Sequence, residues 1–363
     1  MIRSLAAARL LALLSLAPGG LRAQEPDRPR PANPAPVFPV EAHIVWIDVV
    51  AADSGDRPVA DLALEDFEVV EAGERRPIVL FKATERGPVN RAVVFLIDDI
   101  TATGRQIQRA RDTVRRLLSK AAPGDRVVLM ATASGVSASA VVPAGAPALQ
   151  AQLDRVRAHP DLTASLGEPE QARRLHWGRV EAVVAALQAL QSHAGPRALI
   201  IIGPSLPYRA SGSFGKAAYE RVMRASERAA APIYFFKSGE DEPTWPSSTR
   251  SPDWITGTGT VIGVAPLLPM APGESSRSSS AVLDLVATDS GGFAAPNASG
   301  WAWAVDRILG PRAYYLLGIP SVPETWDGGY HLVEVRVRRQ DVRLLARKGY
   351  FAPAAPAAPV QKK

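Results

Sequence analysis

Gly203-Pro204-Ser205-Leu206-Pro207 directly follows an apolar run, the place where a hydrolase carries its nucleophile on a sharp strand-to-helix turn. That turn needs glycine at position 207, where Pro207 stands, so Ser205 is the one candidate nucleophile and hydrolysis a subsidiary reading. Gly212-Ser213-Phe214-Gly215-Lys216 approaches a phosphate loop but has Ala210 where the pattern requires glycine, and it reads as a loop leading into a helix. Asp98-Asp99-Ile100-Thr101-Ala102-Thr103 sets two carboxylates and two hydroxyls within six residues. Taken alone, such residues satisfy the free N–H groups at a helix start. The histidines at 43, 159, 176, 193 and 331 never pair at three or four residues' distance, which excludes a two-histidine zinc helix. The absence of cysteine excludes disulfides, thiolate metal sites and a cysteine nucleophile. Trp301, Trp303, Tyr314 and Tyr315 read as core between a last helix and the strands after it.

The elements that must position these residues follow from periodicity. Alternating apolar residues place a strand at 40–50, and two more at 67–71 and 77–81, with Gly73 in the turn between them. At residue 91 the texture changes. Ala92–Ile97 and Leu199–Ile202 are continuous apolar runs, as expected of strands buried on both faces. Between and after them helices at 105–120, 147–158, 170–192 and 216–230 alternate with strands at 127–132, 138–142 and 233–236. Such alternation predicts an α/β fold with a doubly wound, mostly parallel sheet. Residues 239–280 form a Ser-, Pro- and Gly-rich excursion, followed by helices at 280–289 and 301–309 around a short strand at 293–295. Strands at 314–319, 332–338 and 347–351 then return to an antiparallel pattern. The flanks at 40–86 and 311–353 each hold too few strands to bury an apolar face alone, so they are expected to pair into one small antiparallel, sandwich-like module around the domain at 88–310.

Residues 1–23 have a basic start, an apolar middle and a small residue before Gln24, the composition of a secretory signal peptide cleaved near Ala23. A Pro-rich linker at 24–39 follows, and an Ala/Pro tail at 354–363 closes the chain. The mature protein is expected to be secreted or periplasmic, without stable membrane insertion. Of the 42 basic residues three fall in 1–23, leaving 39 against 36 acidic, a balance too even to argue for nucleic acid.

Three stretches in this order resemble the bacterial secreted proteins built on a von Willebrand factor A-related domain, the form common in acidobacteria. The first is Leu62–Gly73, containing Asp66-Phe67-Glu68-Val69, with Ile78–Phe81 after it. The second is Val93–Asp99 with Pro123-Gly124-Asp125-Arg126-Val127. The third runs from Ala287-Thr288-Asp289-Ser290-Gly291-Gly292 through Tyr314–Gly318 to Arg347-Lys348-Gly349-Tyr350-Phe351. The resemblance implies a Rossmann-like fold and a metal-ion-dependent adhesion site, in which carboxylates and hydroxyls hold Mg²⁺ and a partner's carboxylate completes the shell. Carried onto this sequence, Asp99, Thr101 and Thr103 give an acceptable ligand register, whereas counting from Asp98 places Ile100 and Ala102 at the ligand positions. Thr163 and Ser165 are the only hydroxyls near the second loop, and Gly203-Pro204-Ser205 lacks the carboxylate usual in the third. The implied site is therefore degenerate, with Mg²⁺ weakly held or lost. The implied function is non-enzymatic recognition of a protein partner by the loops around 98–105, 163–167, 203–213 and 239–280, with a structural scaffold of an envelope assembly as the alternative.

Overall fold

Alternation decides the first strand, β1 (His43–Asp53): Ile47, Val49 and Ala51 are buried while Trp46 and Asp48 face outward. The computed structural model describes residues 43–84, 90–133, 142–143, 146–159, 162, 169–204, 213–238, 285–295, 301–310, 312–321 and 326–354. After β1 come β2 (Phe67–Glu71), β3 (Glu74–Arg76), β4 (Leu80–Thr84), β5 (Ala92–Ile97), α1 (Gly104–Ser119), β6 (Arg126–Ala131) and β7 (Val142–Pro143). The chain continues through α2 (Pro147–Arg155), α3 (Pro169–Gln188), β8 (Arg197–Gly203), α4 (Ser213–Ala229), β9 (Ile233–Lys237), β10 (Phe293–Ala295) and α5 (Trp301–Leu309). It closes with β11 (Ala313–Ser321), β12 (Tyr330–Val337), β13 (Val342–Ala346) and β14 (Gly349–Phe351). No helix among the described residues is long and apolar enough to cross a membrane.

The central sheet has the order β10-β9-β8-β5-β6-β7, with five parallel strands and β7 antiparallel at one edge. β5 has no polar residue because both of its faces are covered. Val94 and Leu96 pack with Leu199 and Ile201 under Val180, Val183 and Leu187 of α3 and Val222 of α4. Val93, Phe95 and Ile97 point the other way, under Ile107 and Val114 of α1, Leu153 of α2 and Val305 of α5. Helices on both faces make this a doubly wound α/β layer. Trp301 is buried beside Phe236, so it belongs to this core.

The two flanks share two four-stranded antiparallel sheets, ordered β13-β1-β11-β4 and β14-β12-β2-β3. Each takes strands from both flanks: β11 lies between β1 and β4, and β2 pairs with β12. Ile47, Val49, Phe67, Val69, Tyr315, Leu317, Val333 and Tyr350 form one core between the sheets. Two strands differ from the sequence expectation. Ala72 (φ 51°) and Gly73 (φ 86°) turn the chain back so that Glu74–Arg76 forms a hairpin with β2, and the strand expected at 77–81 begins only at Leu80, in the other sheet. Pro77, which has no N–H for a ladder, lies between the two. Val342–Ala346 is a strand of its own, paired with β1, ahead of the one expected at 347–351.

Residues 287–292 and 347–351 form a clasp between the layers. Lys348 N donates to the Asp289 carbonyl at 2.9 Å, and the Tyr219 hydroxyl donates to Asp289 Oδ2 at 2.7 Å. Arg224 of α4 stacks 3.7 Å above the Phe351 ring, and Phe351 N donates to Glu227 at 3.1 Å. Gly291 has φ +89° and lies so close to Arg347 that a Cβ would sit 3.0 Å from its backbone nitrogen, so glycine is required there on two counts.

The sandwich also contains a charged network. His331 Nδ1 lies 2.8 Å from Glu71 Oε1 and Nε2 lies 3.0 Å from Asp327 Oδ1, so both ring nitrogens face carboxylates and both donate when the ring is charged. Burial opposes that charge, but the bonds to Asp327 and Glu71 outweigh it and hold the His331 pKa above the ordinary histidine value. A raised basic pKa stabilises the fold fully below the unfolded value of about 6.5, and that stability is lost as pH rises through the folded pKa. His331→Ala is therefore expected to lower stability by about 1.5–3 kcal/mol at pH ~6. The difference from wild type should shrink at pH ~9, as read from urea midpoints at the two values. A difference that grows with pH would contradict this assignment.

Candidate functional site

Numbering only the parallel strands β5, β6, β8, β9 and β10 in chain order, the sheet runs 2-1-3-4-5, and its winding reverses between β5 and β8. Open α/β sheets bind ligands at such a reversal, outside the carboxyl ends of the strands. Asp98 and Asp99 leave the end of β5 at that point, and Gly203 ends β8 beside them. A Cβ on Gly203 would lie 2.7 Å from the Asp98 Cβ, so only glycine allows the two strand ends to approach this closely. Both aspartates are buried, which is costly for a carboxylate unless it is paired.

Their hydrogen bonds sort them into two groups. Asp98 Oδ2 accepts from the Arg179 guanidinium, and both side chains are at most 2% exposed. The Thr101 hydroxyl donates to the same oxygen at 2.9 Å and lies 3.3 Å from Arg179 Nη2, closing a triangle. Asp98 Oδ1 is 3.3 Å from Ile100 N and 3.4 Å from Thr101 N, an arrangement that fixes the turn out of β5. Asp99 faces β6 instead. Its Oδ1 accepts from Ala133 N at 2.7 Å and from the Thr132 hydroxyl at 2.8 Å, while Thr132 Oγ1 in turn accepts from Asp99 N at 3.2 Å. Asp99 Oδ2 is buried without a hydrogen bond, 3.7 Å from His159 Nε2. Burial raises the Asp99 pKa, and the Ala133 and Thr132 bonds oppose the rise.

Of the expected ligand residues, Thr101 therefore turns its hydroxyl to Asp98, and Thr103 is spent on capping. The Thr103 side chain accepts from Gln106 N at 3.3 Å, while the Gln106 side chain accepts from Thr103 N at 2.8 Å, a capping box at the start of α1. At Asp98 this arrangement does not fit a resident divalent ion, because Arg179 and Thr101 already hold Oδ2; in the expected register Asp99 keeps Oδ2 without a hydrogen bond, but the Thr101 and Thr103 hydroxyls are engaged elsewhere. Among the described residues no three His, Asp or Glu side chains gather as a metal cluster. Thr163, Ser165 and Ser205 lie outside the described residues, as does the 239–280 excursion.

Arg179, Thr132 and His159 escape the sequence reading. For Arg179 a signal existed. Positions 179, 183 and 187 fall on one face of α3, and 183 and 187 are buried valine and leucine. A charged residue on an apolar stripe must find a buried partner, and the unpaired acids after β5 were the available ones. No protein-family model matches the chain, and no curated protein matches it.

Proposed function

We propose that this chain is a non-enzymatic protein-interaction module of the von Willebrand factor A-related kind, acting in an extracytoplasmic space. It meets its partner at the loops beyond the carboxyl ends of β5, β6 and β8. The observation that carries this reading is the placement of Asp98 and Asp99 at the reversal of the sheet, where their bonds hold the surrounding turns in a fixed shape. Thr103, Gly104 and Arg105 stand exposed on that rim, within reach of a partner. Export rests on the composition of residues 1–23.

Arg105→Glu reverses a charge on the rim without touching the core, and Arg336→Glu reverses one at an exposed position of β12, outside the central sheet. Captured from an envelope extract by the full chain, a genuine partner is expected to be lost with Arg105→Glu and retained with Arg336→Glu. Equal retention by both variants would remove the rim from the interface. Ester hydrolysis that disappears in Ser205→Ala would replace the interaction reading with an enzymatic one.

A further inference from the structure

We infer that Arg179 is a built-in cation: its guanidinium takes the position beside Asp98 that a divalent metal would otherwise occupy, and removing it uncovers a latent site for Mg²⁺ or Mn²⁺. The inference holds whether or not the rim binds a protein, since it rests on the geometry below the rim. Asp98 is 1% exposed and its Oδ2 accepts from Arg179 and from the Thr101 hydroxyl. Thr132 Oγ1 lies 3.3 Å from Asp98 Oδ1 and 2.8 Å from Asp99 Oδ1, so the two carboxylates and two hydroxyls crowd one small volume. These are hard oxygen donors of the kind that divalent ions of this class take. A buried carboxylate needs hydrogen bonds or a paired charge, and for Asp98 the fold delivers a charge from α3, which packs over β5 and β8. A guanidinium is always charged and presents several donors, so it satisfies Asp98 and the Thr101 oxygen at once. A permanent covalent cation also leaves no open coordination position for a partner's carboxylate, so recognition at this rim proceeds without metal sharing.

The test is calorimetric titration of Mn²⁺ into the full chain, with circular dichroism confirming the fold of each variant. The wild-type chain is expected to show no saturable binding at millimolar Mn²⁺, and its thermal midpoint should not respond to a chelator. Arg179→Ala should gain Mn²⁺ binding at least about tenfold tighter than any wild-type signal, with a midpoint that rises on adding the ion. Asp98→Asn in the Arg179→Ala background should abolish the gain, and Arg179→Lys, which keeps a cation in place, should stay inert. Wild-type binding that Asp98→Asn removes would overturn the inference whatever the variants do. A folded Arg179→Ala chain as inert as the wild type would overturn it as well, and so would Arg179→Lys binding Mn²⁺ as tightly as Arg179→Ala.

Discussion

Asp125→Ala is expected to lower the stability of this protein by about 3–5 kcal/mol, the usual consequence of leaving a buried charge without its partner. Asp125 lies in the turn Pro123-Gly124-Asp125-Arg126 that leads into β6 and is fully buried, with Arg91 only 6% exposed beside it. Arg91 reaches both carboxylate oxygens, Nη2 to Oδ2 at 2.6 Å and Nε to Oδ1 at 3.1 Å, a two-pronged geometry that lysine could not reproduce. The same carboxylate accepts from the backbone at Arg91 and Ala122, and Arg91 Nη1 donates to the Ile308 carbonyl at the end of α5. One side chain thus ties together the entry to β5, the entry to β6 and a helix on one face of the sheet. Urea denaturation read by circular dichroism checks this, and a loss below about 1 kcal/mol would show that water replaces the carboxylate at no great cost. Arg91→Met together with Asp125→Leu should recover much of the loss, because a buried pair replaced by apolar side chains is often neutral.

At the opposite end of the sheet the same physics applies to Asp98 and Arg179. Arg179→Met is expected to destabilise by about 3–5 kcal/mol and Asp98→Asn by a comparable amount, while the double variant should cost well below their sum. The interaction energy from that cycle should exceed about 1 kcal/mol, since both side chains are nearly inaccessible to water. Additive losses would mean that the two groups are neighbours without coupling. The cycle weighs the pair itself, independently of any metal.

Much of this architecture is legible in the residues. Uninterrupted apolar runs at Ala92–Ile97 and Leu199–Ile202 announce strands buried on both faces, and alternation at β1 and β12 announces strands with one solvated face. That the flanks share two sheets follows from neither being able to bury its own apolar face, and the register of β1 against β11 shows how they do it. The short strands were harder to see. Glu74–Arg76 has no apolar residue to mark it and is a strand only because the turn at Ala72–Gly73 folds it onto β2. Val342–Ala346 runs into Arg347 without a break in composition, and only its pairing with β1 separates it from β14.

The site was less legible than the fold, for a physical reason. Asp98, Asp99, Thr101 and Thr103 are neighbours in sequence, so a ligand register can be counted along them. Their function depends on which way each side chain turns, and that is set by residues far away: Arg179, 81 positions from Asp98, and Thr132, 33 positions from Asp99. Counting along the loop groups Thr101 with Asp99, whereas the fold groups it with Asp98 and Arg179.

The cation inferred to sit beside Asp98 is Arg179, a part of the protein itself. A crystal of the full chain grown with an excess of Mn²⁺, with anomalous differences collected above the manganese edge, tests it directly. The predicted map has no peak within coordination distance of the Asp98 carboxylate and shows the Arg179 side chain lying against Oδ2. A manganese peak on Asp98, with Arg179 swung away, would contradict it.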